Sequence, residues 1–240
     1  MKLNITKCQV LTFTKKINKI QFDYSIQDEI LARPGQSTYL GVIFSEKCSP
    51  ASHISQVIKK ANSALYFIRR VFSRSSPELK EKVYLALVRS KLEYASSLWD
   101  PHQSYLIDSL EMVQRRAARF VINDYGIQSS VTDMLSKLNW DSLETRRKFA
   151  RLKNFYLVYN GIGGWIDLME YVDPPARTGR AGHACSVRTQ IPRTDLGKFS
   201  YITRSVNEWN SLPADVFMPQ PSFGAFKSRL RNHLFDQHNE

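Results

Sequence analysis

The chain has 240 residues, 42% hydrophobic and 23% charged, the proportions of a folded protein with a buried core rather than of a disordered chain. Its 34 Lys and Arg against 22 Asp and Glu leave a net charge of +12, which points to a polyanionic partner, nucleic acid before a membrane. No apolar run approaches the roughly 20 residues that span a bilayer. Residues 1–9 carry no apolar signal core, and the three widely spaced cysteines, Cys8, Cys48 and Cys185, argue against a disulfide framework. An intracellular protein of nucleus or cytoplasm, with no membrane partner, is the expectation.

In chain order, three β-like runs come first. Residues 7–14 alternate in part. Residues 19–26 alternate fully, with Ile20, Phe22, Tyr24 and Ile26 on one face, and 15–18 suit a hairpin turn between the two runs. Residues 37–44 read as a third strand, apolar almost throughout. Three strands make at best a small sheet, whose edges want partners.

The period then becomes helical. Ile54, Val57, Ile58, Ala61, Leu65, Ile68 and Phe72 form one stripe. Pro77 opens a second helix with Leu85, Val88, Leu92, Ala95 and Trp99 on its core face, and Asp100-Pro101 ends it. Leu106, Leu110, Val113, Ala117, Phe120 and Val121 mark a third. A short helix follows at 131–138, and Asp141-Ser-Leu-Glu144 caps another that runs to about Tyr159. Residues 161–200 are rich in Gly, Pro and Arg and read as irregular, with a short strand at 185–191. Helices resume at 201–211 and 222–235. The expected fold is α+β, mainly α: a small antiparallel sheet at residues 1–45, a helical domain at 50–165, and an irregular linker plus C-terminal helices at 166–240.

The first helical segment is the sharpest electrostatic feature. No acid lies between Glu46 and Glu78, while Lys59, Lys60, Arg69, Arg70 and Arg74 fall in that window. At about 100° per residue, Lys59, Ser63, Tyr66 and Arg70 lie opposite the apolar stripe. Such a face suits phosphate and sugar contacts made without reading sequence; a merely solvated basic face is the alternative. Arg115, Arg116 and Arg119 are expected to pair with Asp108 and Glu111 along their helix. Arg147 and Arg151 lack a local acid and join the candidate phosphate contacts. The loop residues Arg177, Arg180, Arg188 and Arg193 suit either a backbone clamp or ordinary loop surface. Metal ligation is not expected: Cys48 with His53, His183 with Cys185, and His233 with His238 do not have the paired spacings of a zinc site. No nucleophile elbow or phosphate-cradling Gly-rich loop is present.

Several ordered phrases resemble one family. Asn4-Ile-Thr-Lys7-Cys8 followed by a strand, and Tyr39-Leu-Gly-Val42 in another, resemble the last two palm motifs of non-LTR (LINE-type) retrotransposon reverse transcriptases. The runs from Lys91 to Pro101, Leu110 to Phe120, Val131 to Trp140, Leu143 to Arg147, Val206 to Pro213 and Phe223 to Lys227 resemble the region that follows in the jockey-like and chicken-repeat-like branches. The resemblance implies that residues 1–45 are the end of a palm and that residues from about 50 are a thumb. In that reading the first thumb helix packs along an RNA/DNA template–primer duplex. It implies for Lys7 the role of a general acid towards the departing pyrophosphate. The family's paired aspartates, which hold Mg2+ for phosphoryl transfer, belong to a hairpin preceding this stretch. The chain by itself is therefore expected to hold no cofactor and to lack polymerase activity, and the remaining palm and fingers become a candidate partner. A stand-alone basic helical module that binds nucleic acid without catalysis is the alternative.

Overall fold

The structure is a computed structural model that describes residues 4–14, 16–18, 20, 22–163, 172–173, 183–189, 191–218 and 222–235. It is mainly helical, with two small antiparallel sheets near the N-terminus.

The β region departs from the three expected strands. It holds two hairpins, β1 (Ser25–Ile26) with β2 (Glu29–Ile30) and β3 (Gln36–Tyr39) with β4 (Val42–Ser45). Both turns have two residues with positive φ, Gln27 and Asp28 in the first, Leu40 and Gly41 in the second. That geometry matches the twist of paired strands. Gly41 adopts it without strain, whereas Leu40 at φ 47° is unfavourable; the Tyr94 hydroxyl donates to the Leu40 carbonyl at 2.9 Å and holds the turn. The run 37–44 is thus folded on itself. Residues 7–14 make no regular strand. Gln9 forms one parallel bridge with Ala32, and the N–H groups of Val10 and Thr14 donate to Ala32 and Glu46 at 3.0 and 3.1 Å. Of the run 19–26, Lys19 and Gln21 lie outside the described residues and only Ser25–Ile26 pairs. Phe13, Ile17, Ile20, Phe22, Tyr24 and Ile30 are left exposed.

The helical periods fare better. α1 (Ala51–Val71) buries Ile54, Val57, Ala61, Leu65 and Ile68, and also His53. The His53 Nδ1 accepts from the Ile43 N–H at 3.3 Å and its ring meets Trp99 edge-on at 5.4 Å, which fixes α1 to β4. Ser76 caps α2 (Pro77–Tyr84). The single helix expected from Pro77 to Trp99 is interrupted twice: by a π-helical turn at Leu85–Arg89 and, after α3 (Ser90–Glu93), by left-handed Ala95 before α4 (Ser96–Trp99). The Trp99 indole donates to the Tyr94 carbonyl at 2.9 Å, satisfying an acceptor that the break sets free. α5 (Ser104–Ile122) buries all six residues of its expected stripe. α6 (Val131–Lys137) and α7 (Leu143–Tyr159) are capped by Ser130 and Ser142. In the described part of 161–200 no strand forms; α8 (Asp195–Lys198) is followed by α9 (Tyr201–Asn210), a 3-10 turn at Ala214–Val216, and α10 (Phe223–Phe235). Where the short strand was expected, the Asn210 carboxamide accepts from the Val187 N–H at 2.9 Å and donates to its carbonyl at 2.7 Å. One side chain replaces the neighbouring strand.

Two apolar clusters result. The first runs from Val42 to Leu143 and joins α1, α2, α5 and α6. The second, from Leu152 to Leu230, packs α7, α9 and α10 around Trp209. Helix α7 serves both: its first turn closes one core and its second half builds the other. No helix among the described residues is long and apolar enough to cross a membrane.

One buried and one half-buried phenol give the fold an alkaline limit. In the first core Tyr84 donates to the Gln114 side chain at 3.1 Å and stacks on Trp140 at 4.3 Å. Burial pushes its pKa well up, and burial pushes Tyr201 up to about 12 from the ordinary 10.0. The folded state therefore holds protons that the unfolded chain gives up near pH 10.0, so stability is full below that value and falls as pH rises towards about 12. Urea unfolding across this window should show the decline, and Tyr84→Phe should flatten it. An equally steep decline in Tyr84→Phe would contradict the assignment.

Candidate nucleic-acid interface

Helix α1 divides its circumference between two tasks. Its apolar stripe is fully used in the first core. Lys59, Ser63, Tyr66 and Arg70 stand on the opposite side, all exposed, and Arg74, also exposed, follows in the turn after the helix. From Lys59 to Arg70 the face runs ~16 Å at the α-helical rise. Lys60, Phe67 and Val71 flank it on one side, exposed as well. Among the described residues, no ion pair involves Lys59, Lys60, Arg69, Arg70 or Arg74.

The other flank meets α5. The Arg116 guanidinium donates to the Asn62 side chain at 3.3 Å, adding a cation from a second helix. The expected intrahelical pairing of Arg115 and Arg116 with Glu111 is replaced. Glu111 accepts from the Glu144 N–H at 2.9 Å and so stabilises the first turn of α7. Burial raises the pKa of Glu111, against the pull of the Glu144 and Leu143 N–H groups and of Arg147. Arg119 donates to the Gly126 carbonyl at 3.1 Å.

Arg147 and Arg151, expected among the candidate phosphate contacts, are not on the surface. They are 1% and 2% exposed. The spacing of four between Leu143, Arg147, Arg151 and Phe155 lays them along the inward side of α7, where Leu143 and Phe155 are also buried. There they converge on Asp100. Arg147 Nε donates to Asp100 Oδ1 at 2.7 Å, and Arg151 binds the other oxygen. Arg151 Nη2 also reaches both oxygens of Glu208, at 2.5 and 2.6 Å. Arg204 Nη2 lies 3.3 Å from Asp100 Oδ2, and its Nη1 donates to the Asp100 carbonyl at 3.1 Å. Burial works against the Arg151 charge, but the Glu208 and Asp100 carboxylates outweigh it and raise the pKa. Burial, then the neighbouring Arg151, lowers that of Arg204. Three guanidiniums thus share two carboxylates in the seam between the two cores. Nη1 and Nη2 of Arg147 and Nε of Arg151 are buried without a hydrogen-bond partner among the described residues. Asp100, which the sequence marks only as a helix stop, is the hub.

Lys7 sits exposed in a 3-10 turn, Ile5–Lys7, rather than entering a strand. Of the loop arginines, Arg188 and Arg193 are exposed, while Arg177 and Arg180 lie outside the described residues. The candidate metal pairs are occupied otherwise: His53 by Ile43, and His183 by the Trp209 carbonyl at 3.0 Å and a stacked Phe217 ring at 4.0 Å. His238 lies outside the described residues, and no group of three His, Cys, Asp or Glu that could hold a metal occurs among those described. A cleft of about 750 Å3 opens between β4, α4 and α8 and is walled by Phe44, Trp99, Phe199 and Tyr201.

No family model, curated protein or solved structure matches the chain.

Removing one partner from a buried ion pair leaves an uncompensated charge and costs about 3–5 kcal/mol. Asp100→Asn should lose stability on that scale in urea unfolding, while Lys59→Ala should stay within about 0.5 kcal/mol of the parent. An Asp100→Asn protein as stable as the parent would show that the arginines do not depend on this carboxylate.

Proposed function

We propose that the chain is the thumb end of a non-LTR retrotransposon reverse transcriptase and that α1 grips the template–primer duplex by its phosphate backbone. The observation that carries the reading is the solvent side of α1 and the turn after it: Lys59, Lys60, Arg69, Arg70 and Arg74 are exposed, lie in a stretch free of acids and form no ion pair among the described residues. Like charges held this close repel one another, and a row of phosphates relieves the repulsion while releasing counterions. Ser63 and Tyr66 add hydroxyls that donate to phosphate or sugar oxygens. Cations and hydroxyls of this kind can hold phosphates and sugars without reading bases, which suits an enzyme that must move along any sequence.

A membrane surface fits less well. An interfacial helix needs its apolar side free to enter the bilayer, and that side of α1 is spent in the core. Family membership rests on the ordered motifs of the sequence, and in this proposal the polymerase chemistry, with its Mg2+, belongs to the palm and fingers as partner. Lys7 remains proposed as a general acid in the assembled enzyme, and nucleus or cytoplasm as its compartment.

Binding of a short blunt RNA–DNA duplex, followed by fluorescence anisotropy as salt is raised, tests the reading. Each phosphate contact contributes about 0.7–0.9 to the slope of log affinity against log salt. The double variant Lys59→Glu, Arg70→Glu should therefore lower the slope by about 2. An unchanged slope would refute the assignment of this face.

A further inference from the structure

The structure holds a small pocket at the C-terminal end of α1, on the flank that meets α5, and Arg69 is the one residue it shares with the duplex reading. It has a volume of about 250 Å3 and is lined by Arg69, Ser73, Phe120, Asn123 and Tyr125. Drug-sized ligands occupy sites of about 300–1,000 Å3, so this one suits a single planar ring. Two of its five lining residues are aromatic. Tyr125 is half exposed, and the Arg69 guanidinium lies 5.4 Å from its ring centroid. Neither the Asn123 carboxamide nor the Ser73 hydroxyl is hydrogen-bonded to another described residue. They remain available for the polar edge of a ligand.

The loop that carries Tyr125 is built to hold it in place. Asn123, left-handed at φ 60°, ends α5 with its N–H on the Arg119 carbonyl. The Asp124 N–H also donates there, at 3.1 Å, and the Asp124 carboxylate accepts from the Gly126 N–H at 2.9 Å and the Ser129 hydroxyl at 2.8 Å. Those two bonds hold the Asp124 carboxyl below its usual range. Arg119 fastens the Gly126 carbonyl from the helix side. A Cβ on Gly126 would stand 2.6 Å from the Ser129 Oγ, so a larger residue there would push that hydroxyl away from Asp124. The first core does not draw Tyr125 in, yet its backbone is fixed from both sides.

Resting on the duplex reading of α1, we propose that this pocket takes one unpaired nucleobase at the single-stranded end of the bound duplex. The Tyr125 ring supplies the stacking surface, the Arg69 guanidinium braces that ring, and Asn123 and Ser73 supply the contacts to the base edge. A phosphate fits less well, because two of the walls are rings and the lining has one cation. The site lies beside Arg70 and Arg74, since Arg69 and Ser73 immediately precede them in the chain, and so adjoins the C-terminal end of the α1 face.

The test compares a short blunt RNA–DNA duplex with the same duplex carrying an unpaired 2-aminopurine overhang, using the full chain and anisotropy together with 2-aminopurine fluorescence. The overhang should bind about tenfold tighter, the usual effect of stacking one base on an aromatic side chain, and its fluorescence should be quenched. Tyr125→Ala should abolish the gain and the quenching while leaving blunt-duplex affinity unchanged, and Tyr125→Phe should retain both. Equal affinity for the two ligands, or a gain that survives Tyr125→Ala, would overturn the pocket and leave the duplex reading standing. Overhang binding without blunt-duplex binding would support the pocket and remove the duplex reading. Binding of neither ligand would overturn both.

Discussion

The carboxylate of Asp100 is the constraint on which the arrangement of the two cores depends. It is 6% exposed and contacts Arg147, Arg151 and Arg204, from α7 and α9. Such a group is tolerable only if its charge is met at close range. Meeting it ties the end of α4 to the middle of α7, and Arg151 passes the tie to Glu208 on α9. Helix α7 therefore cannot slide or rotate without breaking ion pairs at a largely buried site. Because its first turn closes one core and its second half nucleates the other, the same pairs set the two cores in register.

This network also redistributes the charge of the molecule. Arg147, Arg151 and Arg204 are answered internally, Arg146 is answered by Glu93, and Arg119 caps a turn. The cations of α1 have no such answer among the described residues. The α1 segment thereby keeps its cations exposed and without an ion pair among the described residues, on a helix whose apolar side is locked into the first core. A rigid rod with one buried side and one basic side presents its charges in a fixed row, so little side-chain and backbone ordering remains to be done when a phosphate backbone docks.

Much of the helical part was legible from spacing alone. The stripes of α1 and α5 predict their buried residues nearly one for one, because a 3.6-residue period admits one buried face. The β part was not, since strand propensity reads the run 37–44 correctly as β-forming but does not count the turn inside it; the positive φ of Leu40 and Gly41 folds one expected strand into two. Arg147 and Arg151 depart furthest from expectation. Their charge points to the surface, although they stand in line with Leu143 and Phe155, both buried. Periodicity outweighs charge there because Asp100, next to the helix-ending Pro101, supplies the buried partner. His53 was invisible to sequence for a related reason: only the tertiary approach of β4 supplies the N–H that its ring accepts.

The account is tested most directly by finding which surface touches nucleic acid. A photo-crosslinking amino acid placed at Ser63, in the middle of the α1 face, is compared with one at Lys227, which is exposed on α10. On irradiation with an RNA–DNA duplex at low salt, the account predicts a crosslink from position 63 that disappears as salt rises and little or none from position 227. Crosslinking that is equal at both positions, or confined to 227, would contradict it.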